Sequence, residues 1–214
     1  MKKALVVWGG LDLHEPEAGA LVVRDLLEVE GFQVFVTGDF EALGGPDIGA
    51  MDLIVPQITG GELSRESSVR FAAAVSEGTG LAGFHHGLAT TFPGNMRMRF
   101  MASVTFAGHP GDIVTYRVDP ARADDSIMAG IESFEHTSEQ YYLHVDPAVT
   151  DVLATTTFSG EHADWRAGVV MPQVIKSSYG WGRVFYSALG HKPAELDRPE
   201  IRTILQRGLL WAAR

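Results

Sequence analysis

Short apolar runs alternate with longer amphipathic segments along the first 84 residues of the chain. The runs at 4–8, 32–36, 52–55 and 81–84 have the length and composition of buried strands. Between them, residues 16–30 and 64–77 place apolar side chains about every 3.6 positions, which predicts two amphipathic helices. This order of elements predicts an α/β fold, in which helices cover both faces of a mainly parallel sheet.

The second half of the chain has a weaker pattern. Residues 88–165 contain candidate strands at 113–118 and 152–158 among Pro, Gly and Asp, which predicts a less regular insertion. Strands at 169–177 and 182–188 flank a glycine-rich turn, so the sheet should be partly mixed. Asp197 and Glu200 predict a capping box at the start of a final helix. The chain contains no evident linker, and we expect one domain over residues 1–214.

Composition narrows the classes of function. Seventeen basic and 27 acidic residues give a net charge of −10, which argues against general affinity for nucleic acid or an anionic membrane. The apolar run after Lys2 and Lys3 is too short for a secretory signal, so we expect a cytoplasmic protein. The absence of cysteine excludes disulfides, thiolate metal sites and a cysteine nucleophile. Any chemistry must therefore use histidines, carboxylates, hydroxyls or amides.

Polar side chains follow four of the predicted strands. In open parallel sheets, ligands bind beyond the carboxyl ends of the strands. The candidate site residues that follow predicted strands are His14, Thr59, His85 and His191. His85 is the central residue of Gly83-Phe84-His85-His86-Gly87, which we interpret as a strand, a sharp turn and then a helix. That arrangement is typical of a nucleophile elbow, and an imidazole there suits a general base or a metal ligand. The alternative is a histidine that only caps the following helix.

Further candidates lie in the insertion. Glu139 is the best placed carboxylate, beside Tyr141, and His109 precedes Pro110. Trp165, in a polar loop, could stack on a sugar ring. The remaining histidines of this region follow no predicted strand and are expected at the surface; they are His136, His144 and His162.

Several motifs together resemble the ThuA-like (trehalose utilisation) family of the class I glutamine amidotransferase-like superfamily. The motifs are the segments 83–90 (GFHHGLAT), 106–110 (FAGHP), 138–142 (SEQYY), 179–191 (YGWGRVFYSALGH) and 207–212 (RGLLWA). The resemblance covers nearly the whole chain, and the motifs occur in the same order as in the family.

The resemblance implies a flavodoxin-like α/β sandwich and a role in carbohydrate metabolism, with keto-sugars as substrates. It places His85 where glutamine amidotransferases keep a catalytic cysteine and His191 near the position of their histidine. Because this chain has no cysteine, glutamine hydrolysis through a thioester is excluded.

Acid–base processing of a sugar or keto-sugar, such as an oxidised disaccharide, is the leading hypothesis, by isomerisation, elimination or hydrolysis. His85 and His191 would act as base and acid, and Glu139 would orient one of them or bind sugar hydroxyls. The residues assigned to substrate binding are His14, Thr59, His109, Tyr141 and Trp165.

A divalent metal ion such as zinc, held by His85, His109 and His191, would polarise the carbonyl group. No H-x-x-x-H or H-E-x-x-H motif supports it, so the cofactor stays open. The alternative function is a non-catalytic sugar-binding or regulatory module. A serine hydrolase is disfavoured because the chain has no G-x-S-x-G motif. We expect a small carbohydrate as partner, no nucleic acid, no membrane, and a homo-oligomer such as a dimer.

Overall fold

The computed structural model describes all residues 1–214 and contains eleven strands and four α-helices. The strands are β1 (Lys3–Gly9), β2 (Gln33–Thr37), β3 (Leu53–Ile58), β4 (Gly80–Phe84), β5 (Val104–Gly108), β6 (Ile113–Pro120), β7 (Phe134–Glu139), β8 (Tyr142–Val145), β9 (Asp151–Thr157), β10 (Val170–Tyr179) and β11 (Gly182–Ser187). The helices are α1 (Pro16–Val29), α2 (Arg65–Ser76), α3 (Met96–Ala102) and α4 (Pro199–Ala212). None of the helices has the length and apolar character required to cross a bilayer.

One nine-stranded sheet runs through the molecule in the order β2-β1-β3-β4-β11-β10-β9-β6-β7. The first five strands of this order are parallel to their neighbours, and the pairs from β11 to β7 are antiparallel. The predicted α/β fold with a partly mixed sheet is confirmed. Strands β5 and β8 form a separate antiparallel pair.

The two faces of the sheet carry two hydrophobic cores of similar size, with 28 and 27 buried residues. Alternate residues of β1 point to opposite cores, Ala4 and Val6 to one and Leu5 and Val7 to the other, as the period of a strand requires. Helices α1 and α4 cover the first core, and α2 and α3 cover the second. This double covering explains why β1, β3 and β4 are continuous apolar runs rather than alternating ones.

The insertion is more regular than its sequence predicts, because it contains α3 and the strands β5 to β9. Its antiparallel strands expose one face, as in β6, where exposed Thr115 and Arg117 flank buried Tyr116. Polar residues therefore interrupt the apolar pattern of these strands.

Two predicted local features are wrong. Residues 85–89 form consecutive turns instead of a helix, since His85 and Leu88 have left-handed φ values of 47° and 66°. Helix α4 begins at Pro199 with Arg198 as its N-cap and without a capping side chain, so the Asp197 capping box does not form. Pro199 instead occupies the first helical position, where its missing N–H costs nothing.

Candidate functional site

Four side chains from distant segments converge beyond the carboxyl ends of the parallel strands. One ligand atom from each residue, a histidine nitrogen or a carboxylate oxygen, lies within 4.8 Å of those of the other three. We call these four residues the His/Glu group: His14, His85, Glu139 and His191. His85 is 0% exposed, and the other three are between 6% and 8% exposed. His14 follows β1, His85 follows β4 and His191 follows β11, while Glu139 is the last residue of β7.

The backbone of His85 is fixed on both sides. Its N–H donates to the carbonyl of Ser187 at 2.6 Å, and its own carbonyl accepts from the Tyr186 hydroxyl at 2.8 Å. The flanking glycines leave room for the turn, since a Cβ at Gly83 would lie 2.6 Å from a side-chain carbon of Leu88. The turn therefore presents the His85 ring at the end of β4, as an elbow does.

Hydrogen bonds orient the His85 ring. Its Nδ1 lies 3.1 Å from the carbonyl oxygen of Ala188, which can only accept, so Nδ1 carries a proton. Nε2 is therefore the nitrogen directed at Glu139 Oε2, at 3.1 Å, and at the Tyr141 hydroxyl, at 2.8 Å. Nε2 has a lone pair in the neutral ring and a proton in the charged ring.

His14 is held by two neighbours. Its Nδ1 is hydrogen-bonded to the Thr59 hydroxyl at 2.7 Å, which leaves Nε2 without that partner. The His86 ring stacks on it, with 4.5 Å between ring centroids and an angle of 6° between the planes. Because His86 is buried and stacked on this ring, it forms the wall behind His14. Neither nitrogen of His86 has a hydrogen-bond partner.

His191 lies beside His85 and faces the second carboxylate oxygen of Glu139. Its Nε2 lies 3.5 Å from Glu139 Oε1 and is buried without a hydrogen-bond partner. Its ring also stacks against that of His85, with 5.0 Å between centroids. Because His191 Nε2 faces the Glu139 carboxylate, it is available to bind an additional ligand.

Burial and neighbouring charges set the protonation states of the group. Burial, together with nearby His85, lowers the pKa of His14 to about 4 and also lowers the pKa of His191. Burial raises the pKa of Glu139, but the hydrogen bond and charge of His85, with His191 nearby, outweigh it and bring that pKa to about 2. At neutral pH, His14 and His191 are therefore uncharged and Glu139 is ionised, as metal ligands must be.

His109 lies at the rim and outside the His/Glu group. Its Nε2 is 3.8 Å from Glu139 Oε1, and its Nδ1 is 3.5 Å from Asp112 Oδ1. Its side chain is 30% exposed, whereas the group itself is buried. The predicted metal set of His85, His109 and His191 thus differs from the observed cluster, which contains His14 and Glu139 in place of His109.

Tyr141 and Trp165, which were both expected to bind substrate, are not part of the His/Glu group. Tyr141 is fully buried, with its ring centroid 4.2 Å from that of His85, so it supports the His85 ring and offers no open face. Trp165 is 72% exposed in the one-turn helix Asp164–Arg166 and is not part of the group.

A second layer of polar residues behind His191 was not predicted. The expectation that His136 lies at the surface is wrong, because it is 5% exposed in β7, with Nε2 3.2 Å from Glu195 Oε2. The same Glu195 oxygen accepts hydrogen bonds from the Ser138 hydroxyl at 2.9 Å and from the backbone N–H of His191 at 3.0 Å. The available signal was the alternation of Phe134, His136 and Ser138, which places them on one face of a strand. His144 and His162 are exposed, as predicted.

The fold and the site define an α/β protein with a buried histidine and carboxylate cluster at the strand ends. The sequence matches the family described as ThuA, trehalose utilisation, over residues 3–212. The chain therefore belongs to this family, and the predicted resemblance to ThuA-like proteins is confirmed. Membership implies a role related to trehalose utilisation. No curated protein matches the sequence.

Solved structures share the fold at low sequence identity. A ThuA-like protein from Parabacteroides merdae superposes with a TM-score of 0.82 at 20% identity, over 99% of this chain and 89% of that one. A cytoplasmic protein from Salmonella typhimurium LT2 gives 0.69 at 14% identity, over 100% of both chains. A β-galactosidase from Rahnella sp. R3 gives 0.64 at 15% identity, over 100% of this chain but 32% of the enzyme. At these identities the likeness shows the fold alone.

Proposed function

We propose that this chain is a divalent-metal-dependent enzyme that moves a proton next to the carbonyl group of a keto-sugar such as an oxidised disaccharide. The supporting observation is the convergence of three imidazoles and one carboxylate whose ligand atoms lie within 4.8 Å of one another. The description of the family, trehalose utilisation, supports a carbohydrate as the substrate class.

The residues present fit a metal ion. The partnerless Nε2 of buried His191 and the directed Nε2 of His85 both face the carboxylate of Glu139. Ala188 and Thr59 bind the other nitrogens of His85 and His14, as outer partners of metal-bound histidines do. A mixed set of imidazoles and one carboxylate suits zinc and related divalent ions. The ion would polarise the carbonyl oxygen of the substrate and so acidify the neighbouring C–H bond.

The proton transfer is assigned to His109. Glu139, with a pKa of about 2, is too weak a base at neutral pH, because an efficient base has a pKa near the working pH. His85 is fully buried with both nitrogens engaged. His109 is the accessible imidazole beside the group, and Asp112 faces its second nitrogen. This proposal differs from the prediction that His85 and His191 act as base and acid, because it uses both residues to hold the ion.

The test compares the wild type with Glu139→Gln, using metal content by elemental analysis and turnover of 3-keto-disaccharides followed by NMR. We expect stoichiometric metal and conversion in the wild type, and loss of both in Glu139→Gln. Glu135→Gln, an exposed position on the same strand, is the matched control and should behave as the wild type.

A wild-type protein that converts none of a panel of keto-disaccharides, with or without added zinc, manganese or nickel, disproves the enzymatic proposal. Stabilisation by sugars in a thermal-shift assay without turnover would then identify the chain as a sugar-binding module.

A further inference from the structure

A polar groove of about 500 Å³ lies on the antiparallel half of the molecule. Strand β6, the end of β9 and the loop after it supply its walls, and the polar lining residues are Thr115, Arg117, Gln140, Thr157, Ser159 and Glu161. Sites for small molecules commonly measure roughly 300–1,000 Å³, so the groove has room for a sugar ring.

The groove adjoins the His/Glu group through several contacts. Gln140 follows Glu139 directly, and Ile113, another lining residue, pairs with Glu139 in the β6–β7 register. The turn at residues 109–112 packs on the groove residue His162. The contact is so close that a Cβ added at Gly111 would lie 2.3 Å from the His162 ring. His109 begins this turn, and its Nε2 lies 3.8 Å from Glu139 Oε1, so the turn contacts both the groove and the group.

The side chains of the groove favour a neutral, hydroxyl-rich ligand. Thr115, Thr157 and Ser159 bring hydroxyl groups, and Gln140 brings an amide. The charge of Arg117 is neutralised by Asp119, at 2.6 Å, and Glu161 adds an exposed negative charge. Arg117 is the only permanent cation among the lining residues and is paired with Asp119, and Glu161 would repel a phosphate.

We propose that this groove binds the second ring of a disaccharide while the keto ring reacts at the His/Glu group. The inference rests on the proposed function for the reacting ring, and it adds the place where the second ring of the disaccharide binds.

Filling the groove tests the proposal. Thr157→Phe and Thr115→Phe place an aromatic ring in it from two different strands, and Ser178→Phe makes a similar change at an exposed position of β10 outside it. KM and kcat are measured for a 3-keto-disaccharide and for 3-keto-glucose. We expect KM for the disaccharide to rise about 10-fold or more in both groove variants, as when one pocket contact is lost, and to change little for 3-keto-glucose. Ser178→Phe should leave both values unchanged.

Equal effects on the two substrates, or none, would overturn the subsite. If the wild type converts neither substrate, the proposed function has failed. Binding to the groove is then measured separately, by saturation-transfer NMR with trehalose and with glucose. Binding of trehalose that is lost in Thr157→Phe and Thr115→Phe supports the groove, and binding that is the same in the wild type and both variants rejects it.

Discussion

At the scale of single residues, His109 is partly exposed, whereas the residues of the His/Glu group are buried. A histidine that binds an ion is best held rigidly by an acceptor on its second nitrogen, as Ala188 and Thr59 hold His85 and His14. A histidine that exchanges protons with a substrate needs access, which His109 has through its partly exposed side chain. The proposed function therefore assigns the two tasks to neighbouring residues.

Replacing His109 with Gln should separate these tasks. We expect kcat on a keto-disaccharide to fall about 10²- to 10⁴-fold, the usual contribution of a general acid or base, while the metal content stays that of the wild type. His144→Gln, at an exposed position in β8, is the matched control. A variant that loses its metal, or one that keeps full kcat, would contradict the assignment.

At the scale of elements, β7 connects the two layers of the site. His136 and Ser138 contact Glu195, which accepts the backbone N–H of His191, and the strand then ends in Glu139. The position of β7 relative to the turn Pro193–Asp197 thus sets the distance between Glu139 and His191. Glu195 is a positioning residue, because it acts through His191.

Glu195→Gln should disturb the geometry of a bound ion, since an amide replaces a carboxylate oxygen that now has three polar neighbours. We expect the affinity for Co²⁺ to fall about 10- to 100-fold and the visible absorption spectrum of the Co²⁺-loaded protein to change. Glu135→Gln on the same strand should change neither. A lower melting temperature with an unaltered spectrum and affinity would mean that Glu195 has only a structural role.

The sequence predicts an element well where both faces of that element are buried. Strands β1, β3 and β4 are buried on both faces, so their apolar runs predict them, and with them His14, Thr59 and His85 at their carboxyl ends. Strand β7 has the sequence FEHTSE, in which the buried positions include His136, Ser138 and Glu139, so hydrophobicity does not reveal it. Only its position near Tyr141 and the family resemblance point to Glu139, and no hydrophobic pattern in the sequence points to Glu195 or to a buried His136.

At the scale of the whole molecule, the buried histidines make stability depend on pH. The pKa of His14 is lowered from 6.5 to about 4 and that of His86 to about 2, in both cases mainly by burial. Below pH 6.5 the unfolded chain therefore binds protons that the folded chain does not, and the free energy of unfolding falls as pH falls. Glu139, lowered from 4.5 to about 2, adds a contribution of the same sign below pH 4.5.

Urea unfolding at pH 7, 6 and 5, with a chelator present, should show this loss of stability. Each group that titrates only in the unfolded chain contributes a slope that approaches about 1.4 kcal/mol per pH unit once the pH is below 6.5. His86→Gln should reduce the slope, and His162→Gln, at an exposed position, should not. Stability that is flat from pH 7 to 5, or an equal slope in His86→Gln, would contradict the prediction.

The four residues of the His/Glu group belong to chain segments that run from residue 14 to residue 191. An ion held by all four would act as a cross-link between the beginning, the middle and the end of the chain. Such a link would form only after the long-range strand pairing is complete, so ion capture would be a late event in folding. It would favour the native state by mass action, and the loaded protein should resist protease for longer than the metal-free protein.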